Sequence, residues 1–269
     1  MPDFLAGLIS DARKRVQADY YSISRIIDHK PISLKHALRS ASGNAIIAEI
    51  KPISPARGAL RPEIDPETAA MELEKGGAVG LSILTEPNNF GGALQNLQKV
   101  RGRVHIPLLM KDIIIDEAQI QAAERSGADC VLLIESVFSK HRVGSLEKLL
   151  EFAHDMNLEV LLEVHDREEL GRALESEGDI IGVNNRNLAT LEIDLLTTPR
   201  LLGDQEVLVA PWRELFNRKR ANKTIITESG IETSADIRKL KHVVDGFLVG
   251  SSIMLSEDLE SKVRELVLA

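Results

Sequence analysis

At 269 residues the chain is near the upper limit for one hydrophobic core, and 43% hydrophobic with 28% charged residues is the balance of a globular, enzyme-sized domain. A net charge of −8, with 33 scattered Lys and Arg and 3% aromatic residues, argues against a basic nucleic-acid groove or a stacking platform. A lone cysteine, Cys130, leaves no internal disulfide or thiolate cluster, and no apolar run approaches the roughly 20 residues that span a bilayer. Neither nucleic acid nor membrane is an expected partner.

In chain order, Phe4, Leu5, Leu8, Ile9, Ala12 and Val16 recur at helical spacing beside a charged face of Asp11, Arg13, Lys14 and Arg15, which predicts an amphipathic lid or cap helix. Its apolar start is short, broken by Gly7 and followed rather than preceded by basic residues, unlike a secretory signal, so a cytoplasmic location is expected. Pro31 and the N-cap candidate Ser33 open a second short helix to Arg39. Strand and helix then alternate. Strand 46–51 precedes helix 66–75, which Gly76 and Gly77 end; strand 80–85 precedes helix 94–100; strand 107–111 precedes helix 116–126 behind the N-cap Asp116. Strand 130–134 precedes helix 145–157, strand 159–164 precedes 167–175, and strand 180–184 precedes a helix starting near Thr197. Strand 224–228 with helix 234–240, and strand 246–249 with helix 257–268, close the series.

Eight strand–helix units in about 220 residues predict an α/β fold, a (β/α)₈ TIM barrel with an N-terminal helical extension, rather than an open sheet. One domain over residues 1–269 is expected, with 1–44 as the extension, 45–269 as the barrel and an insertion near 203–223. The segment before strand seven exceeds a helix and its return loop. There Pro211, Trp212, Leu215 and Phe216, followed by Arg218, Lys219 and Arg220, suggest an amphipathic helix at the barrel bottom, as a packing element or a partner-docking one.

The stretch Ile46–Gly58, I-I-A-E-I-K-P-I-S-P-A-R-G, carries the first chemical signal. Strand alternation puts Glu49 and Lys51 on a face that should be buried, which costs several kcal/mol per charge unless they are paired. The same parity turns Lys111, Glu163 then His165, Asn184 then Arg186, and Glu228 inward, polar only toward the strand ends where such barrels build their sites. Each alone is accounted for by a rim ion pair. Their convergence from strands one, three, five, six and seven instead indicates an active site. Ser54 to Gly58, Ser229-Gly230 and Gly250-Ser251-Ser252 follow strands one, seven and eight, and such small residues let backbone N–H groups approach a phosphate. Metal and redox chemistry find little support, because the seven histidines are scattered and no dinucleotide-binding glycine motif or nucleophile elbow occurs. His165 reads as a rim residue and Cys130 as a small hydrophobe.

Beyond that first stretch, L-T-E at Leu84–Glu86 with F-G-G at Phe90–Gly92, P-L-L-M-K-D at Pro107–Asp112, G-A-D-C-V-L-L-I at Gly127–Ile134 and L-L-E-V-H at Leu161–His165 follow in order. So do I-G-V-N-N-R-N-L at Ile181–Leu188, E-S-G-I at Glu228–Ile231 and V-G-S-S-I-M at Val249–Met254. As a set these motifs resemble the indole-3-glycerol phosphate synthase family over nearly the whole barrel, and the N-terminal helices resemble that family's extension. The resemblance implies a lyase of tryptophan biosynthesis that closes 1-(2-carboxyphenylamino)-1-deoxyribulose 5-phosphate to indole-3-glycerol phosphate with loss of CO₂ and water, without a cofactor or metal. It implies Lys111 as general acid, Glu163 as general base in dehydration, and Lys51 as ligand of the substrate carboxylate and a second candidate acid. Glu49, Asn184 and Glu228 would position lysines and substrate hydroxyls, and the assignment of each lysine to a step stays open. Ser54, Ser229, Gly230, Gly250 and Ser251 match the phosphate side, while Phe90, Arg186 and Leu188 match the anthranilate side or hold the loops. The expected partner is a small phosphorylated substrate; contacts with other enzymes of the pathway are not readable from the residues.

Three positions depart from the family pattern. Ala56 stands where a second hydroxyl residue is common, Ile113 where Phe is frequent, and the stretch around Trp212 is extra. Two other functions fit the same residues: a Schiff-base lyase using Lys51 or Lys111 as nucleophile, and a phosphate-ligand-binding barrel without catalysis.

Overall fold

The computed structural model describes residues 3–24, 26–202, 220 and 223–269. Eight parallel strands close into a barrel: β1 Ile46–Ile50, β2 Gly80–Leu84, β3 Leu108–Lys111, β4 Cys130–Ile134, β5 Glu159–Val164, β6 Ile180–Asn184, β7 Thr224–Glu228 and β8 Gly246–Val249. Closure is made where β1 pairs with both β2 and β8, Ile47 opposite Gly80 and Ala48 opposite Val249. Because helices cover the outside and side chains fill the inside, these strands are buried on both faces and read as near-continuous apolar runs.

The expected helices are present with bounds within a few residues, and polar caps fix several starts. Asp65 accepts from Thr68 N ahead of Pro66–Lys75, Asp116 from Ala118 N ahead of Glu117–Arg125, and Ser145 from Lys148 N ahead of Leu146–Asp155. Each such cap contributes about 1 kcal/mol. β3 begins at Leu108 rather than Pro107, although the Pro107 carbonyl already accepts from Leu81 N at 2.9 Å. Four small elements lie in the loops above the strands and were not expected. A hairpin pairs Ile53–Ser54 with Gly58–Ala59, and short helices span Pro87–Phe90, Glu135–Ser139 and Ser251–Met254.

The N-terminal extension covers both ends of the barrel. Helix Phe4–Gln17, capped by Asp3, lies at the mouth, where Phe4 and Leu8 reach the central cavity. Helix Leu34–Arg39 lies at the opposite end, with Leu34 against Gly80 of β2 and Leu38 against Gly246 of β8. Ser33 Oγ donates to Glu159 at the start of β5, and Arg39 Nε donates to Thr224 Oγ1 at the start of β7, 2.8 Å away. One sequence assignment is corrected here. Arg15 was placed on the charged face, but it is 7% exposed, because spacings of three and seven from Ala12 and Leu8 put it on the buried stripe. The inserted helix expected around Trp212 lies outside the described residues. Among the described residues no helix is long and apolar enough to cross a membrane.

Candidate active site

The strand ends of the barrel surround one cavity. Glu49, Lys51, Lys111, Glu163, Asn184, Glu228, Ser54, Ser229, Gly230, Gly250, Ser251, Phe90, Arg186 and Leu188 all line it. His165 does not. Its ring Nδ1 lies 2.8 Å from the Asn184 carbonyl oxygen, and it borders a separate hollow that touches Glu163 from behind. Ser252 also turns away, donating to Ile231 O and so tying the loop after β8 to the loop after β7.

Two lysines and three carboxylates form the floor. Lys51 Nζ lies 2.5 Å from Glu49 Oε2, both on the run that leaves β1. Lys111, at the end of β3, donates to Glu163 Oε2 at 3.0 Å and lies 3.3 Å from Glu228 Oε2. Asn184 Nδ2 donates to the other Glu163 oxygen at 2.8 Å, so that carboxylate is fixed from two strands. Burial works against charge on Lys111, but Glu163, Glu228 and Glu49 outweigh it and hold the ammonium well above the ordinary lysine value. For Glu49, burial is likewise outweighed, by Lys51 and then Lys111, and its acidity is strengthened. Glu228 goes the other way. Burial, with repulsion from Glu163 and Glu49, pushes it up to about 7 despite Lys111.

Glycines make room for these acids. A Cβ on Gly182 would sit 2.1 Å from Glu228 Oε1, and one on Gly250 would sit 2.4 Å from Glu49 Oε2. Gly182 faces inward two residues before Asn184 on β6, so the smallest side chain stands where a carboxylate must fit. Among the described residues Glu228 Oε1 has no hydrogen-bond partner, and it is buried, the state in which a proton on the group is favoured.

The raised Glu228 carries a pH prediction. A carboxyl raised in the folded state contributes stability that is fully present below its ordinary value of 4.5 and is lost as pH rises to about 7. Glu228→Gln is therefore expected to gain stability on the wild type across that interval, with the gap opening between acid and neutral pH. Thermal unfolding midpoints measured at pH 4.5 and pH 8 check this, and a gap that narrows with rising pH contradicts it.

The cavity has two characters. One wall is apolar, from Phe4, Leu8, Leu84, Phe90, Ile113 and Leu132. Ile113, the position where an aromatic was expected, is 5% exposed and closes this wall with an aliphatic side chain. The other wall is polar and small, from Ser54, Ser229, Gly230, Gly250 and Ser251, with Arg57 at its edge paired to Glu232. Ser229 and Gly230, both lining the cavity, have φ of 65° and 82°, two consecutive left-handed residues. Ala56 is exposed and off this wall. Arg186 is anchored by donating to Leu191 O, and burial with nearby Arg57 lowers it from its ordinary value.

Several residues that organise the cavity were not singled out by sequence. Asn185, fully buried, donates to Thr227 Oγ1, Glu228 O and Ser229 O and accepts from Thr198, which fixes the end of β7 and the turn after it. Its signal was present: a second asparagine beside Asn184 at a strand end is a polar group that must find partners. Arg15, Tyr21, Glu86 and Asp112 form a buried polar cluster beside the apolar wall. Cys130 is buried within β4, and burial pushes its thiol up, as suits a small core side chain.

Residues 6–266 match the family model for indole-3-glycerol phosphate synthase. The chain belongs to that family. Relatives named indole-3-glycerol phosphate synthase include one from Koribacter versatilis, 36% identical over 99% of this chain and 100% of its own. Others are from Dehalococcoides mccartyi, 39% identical over 90% of this chain and 88% of the relative, and from Methanocaldococcus jannaschii, 42% identical over 89% and 84%. Among solved structures, thiamine phosphate pyrophosphorylase from Pyrococcus furiosus superposes with a TM-score of 0.57 at 18% identity, over 87% of this chain and 96% of that one. That likeness concerns the barrel alone.

Proposed function

We propose that the protein closes 1-(2-carboxyphenylamino)-1-deoxyribulose 5-phosphate to indole-3-glycerol phosphate, releasing CO₂ and water, in a cytoplasmic pathway to tryptophan. The single observation that carries the site assignment is Lys111 held between Glu163 and Glu228 on the cavity floor, with an apolar wall on one side and small polar residues on the other. A substrate with an aromatic carboxylate at one end and a phosphate at the other matches both walls. Its folded conformation would bring the ring carbon to the ketone, which is the main entropic obstacle to closure.

The ring carbon bearing the carboxylate attacks the ketone while Lys111 donates a proton to the developing alkoxide. An alkoxide is more basic than an amine, so the proton moves to it even from a lysine whose acidity is weakened. The ring nitrogen carries the resulting positive charge. Breaking the bond to CO₂ returns an electron pair to the ring and cancels that charge, so no external electron sink is required. Dehydration then expels the hydroxyl as water, with Lys51 as candidate proton donor and Glu163 taking the final ring proton. Glu49 holds Lys51, and Asn184 holds Glu163, at the distances given above. Ser54, Ser229, Gly230, Gly250 and Ser251 would receive the phosphate, while Phe90, Leu188 and Arg186 border the aromatic end. On this account residues 1–44 and 45–269 act as one unit.

A Schiff-base reaction would need a neutral lysine. The carboxylates around Lys111 favour its ammonium, which speaks against that alternative. Product fluorescence from the indole ring tests the proposal: the purified protein mixed with the substrate is expected to generate it catalytically. Substrate bound without indole formation would leave a binding barrel.

A further inference from the structure

We infer that Arg15 of the N-terminal helix is a positioning residue for the aromatic end of the substrate, locking the helix and two barrel loops into one wall. This rests on the function proposed above, and the contacts are specific. Arg15 Nη1 donates to Glu86 at 2.8 Å, Nη2 to Asp112 at 3.2 Å and Nε to the Tyr21 hydroxyl at 3.1 Å. All four groups are buried. A planar guanidinium can meet these three acceptors at once, which a single ammonium cannot do with the same geometry.

Each partner controls a piece of the apolar wall. Glu86 accepts the backbone N–H groups of Asn88, Asn89 and Phe90, so its carboxylate holds the short helix that presents Phe90. Asp112 directly follows Lys111, accepts from Tyr21 and from Thr85 Oγ1, and takes the N–H of Ile113, another wall residue. Arg15 itself sits on the helix that carries Phe4 and Leu8 into the cavity. Phe4, Leu8, Phe90 and Ile113 come from three separate segments, and Arg15 bonds all three segments together. Among the described residues no such bond links Arg15 to the polar wall.

The prediction is therefore lopsided. With Arg15→Lys, affinity for anthranilate measured by calorimetry is expected to fall about tenfold, while affinity for inorganic phosphate stays within about twofold, since a lost contact set of this kind acts locally. KM for the full substrate is expected to rise about tenfold with kcat changed by less than about threefold, the pattern of lost binding rather than lost chemistry. Tyr21→Phe removes one acceptor of Arg15 and one donor to Asp112, keeps the packing, and is expected to shift the same quantities in the same direction by about threefold. It serves as the second test if Arg15→Lys does not fold. Phosphate and anthranilate weakening together, kcat falling at constant KM, or a lower melting temperature with every affinity unchanged would each overturn the inference. Because the two affinities are read without turnover, they test Arg15 even if the wild type forms no indole.

Discussion

Replacing Lys111 with methionine is expected to lower kcat by on the order of 10³-fold or more, with no CO₂ released in a single turnover. The expectation follows from where the ammonium sits. It is 13% exposed, 3.0 Å from Glu163 and 3.3 Å from Glu228, and among the described residues it is the cation that pairs with both. Without it the ketone has no proton donor, and the step that precedes decarboxylation fails. Stability should fall too, by about 3 kcal/mol, because two buried carboxylates lose their counter-charge. At roughly 2–4 °C per kcal/mol for a chain of this size, that is a fall of roughly 10 °C in Tm, so the assay belongs well below the transition. Stopped-flow measurement with trapped CO₂ reads both quantities. Near-normal turnover in a folded Lys111→Met protein would remove Lys111 from the mechanism.

The companion substitution, Glu163→Gln, should fail at a different point. It keeps the size of the side chain and its hydrogen bond with Asn184, but it removes the base that takes the last proton. A loss of about 10²–10⁴-fold in kcat is expected, the usual weight of one general base. A single turnover should release one CO₂ per active site while indole fluorescence lags far behind, because ring closure and decarboxylation precede the blocked step. Quenched-flow analysis would show the ring-closed, decarboxylated, still hydrated intermediate accumulating. Should CO₂ release and fluorescence be slowed equally, Glu163 acts before decarboxylation and its role must be reassigned. Lys111→Met and Glu163→Gln thus bracket the release of CO₂ from opposite sides.

The barrel was legible because its physics is repetitive. Strands such as Cys130–Ile134 and Glu159–Val164 are buried on both faces, so an apolar run with a polar residue at its end marks both the element and the cavity. Glu49, Lys111, Glu163, Asn184 and Glu228 could be brought together on paper for the same reason: a charge at the last inward position of a strand has one place to go. The loops were less legible. The pair Ile53–Ser54 with Gly58–Ala59 and the single turn Pro87–Phe90 are shorter than any period, so periodicity cannot announce them. Arg15 was misplaced because a cluster of basic residues at 13–15 looks like a solvated face, although spacing from Leu8 and Ala12 pointed inward. Its partners Glu86 and Asp112 lie about 70 and 100 residues further on, separations no local rule spans. Asn185 shows the remaining limit, since its value lies in holding backbone carbonyls that sequence does not display.

The placement of helix Leu34–Arg39 bears on how the chain is made. This helix emerges early from the ribosome, yet Leu38 rests on Gly246 and Arg39 bonds Thr224, residues translated about 200 positions later. At synthesis rates of about 5–20 residues per second, its apolar side waits roughly 10–40 s for its seat to exist. During that wait Leu38 stands without its seat, although Leu34 can already meet Gly80, and the half-covered helix is a target for holdase chaperones and for self-association of crowded nascent chains.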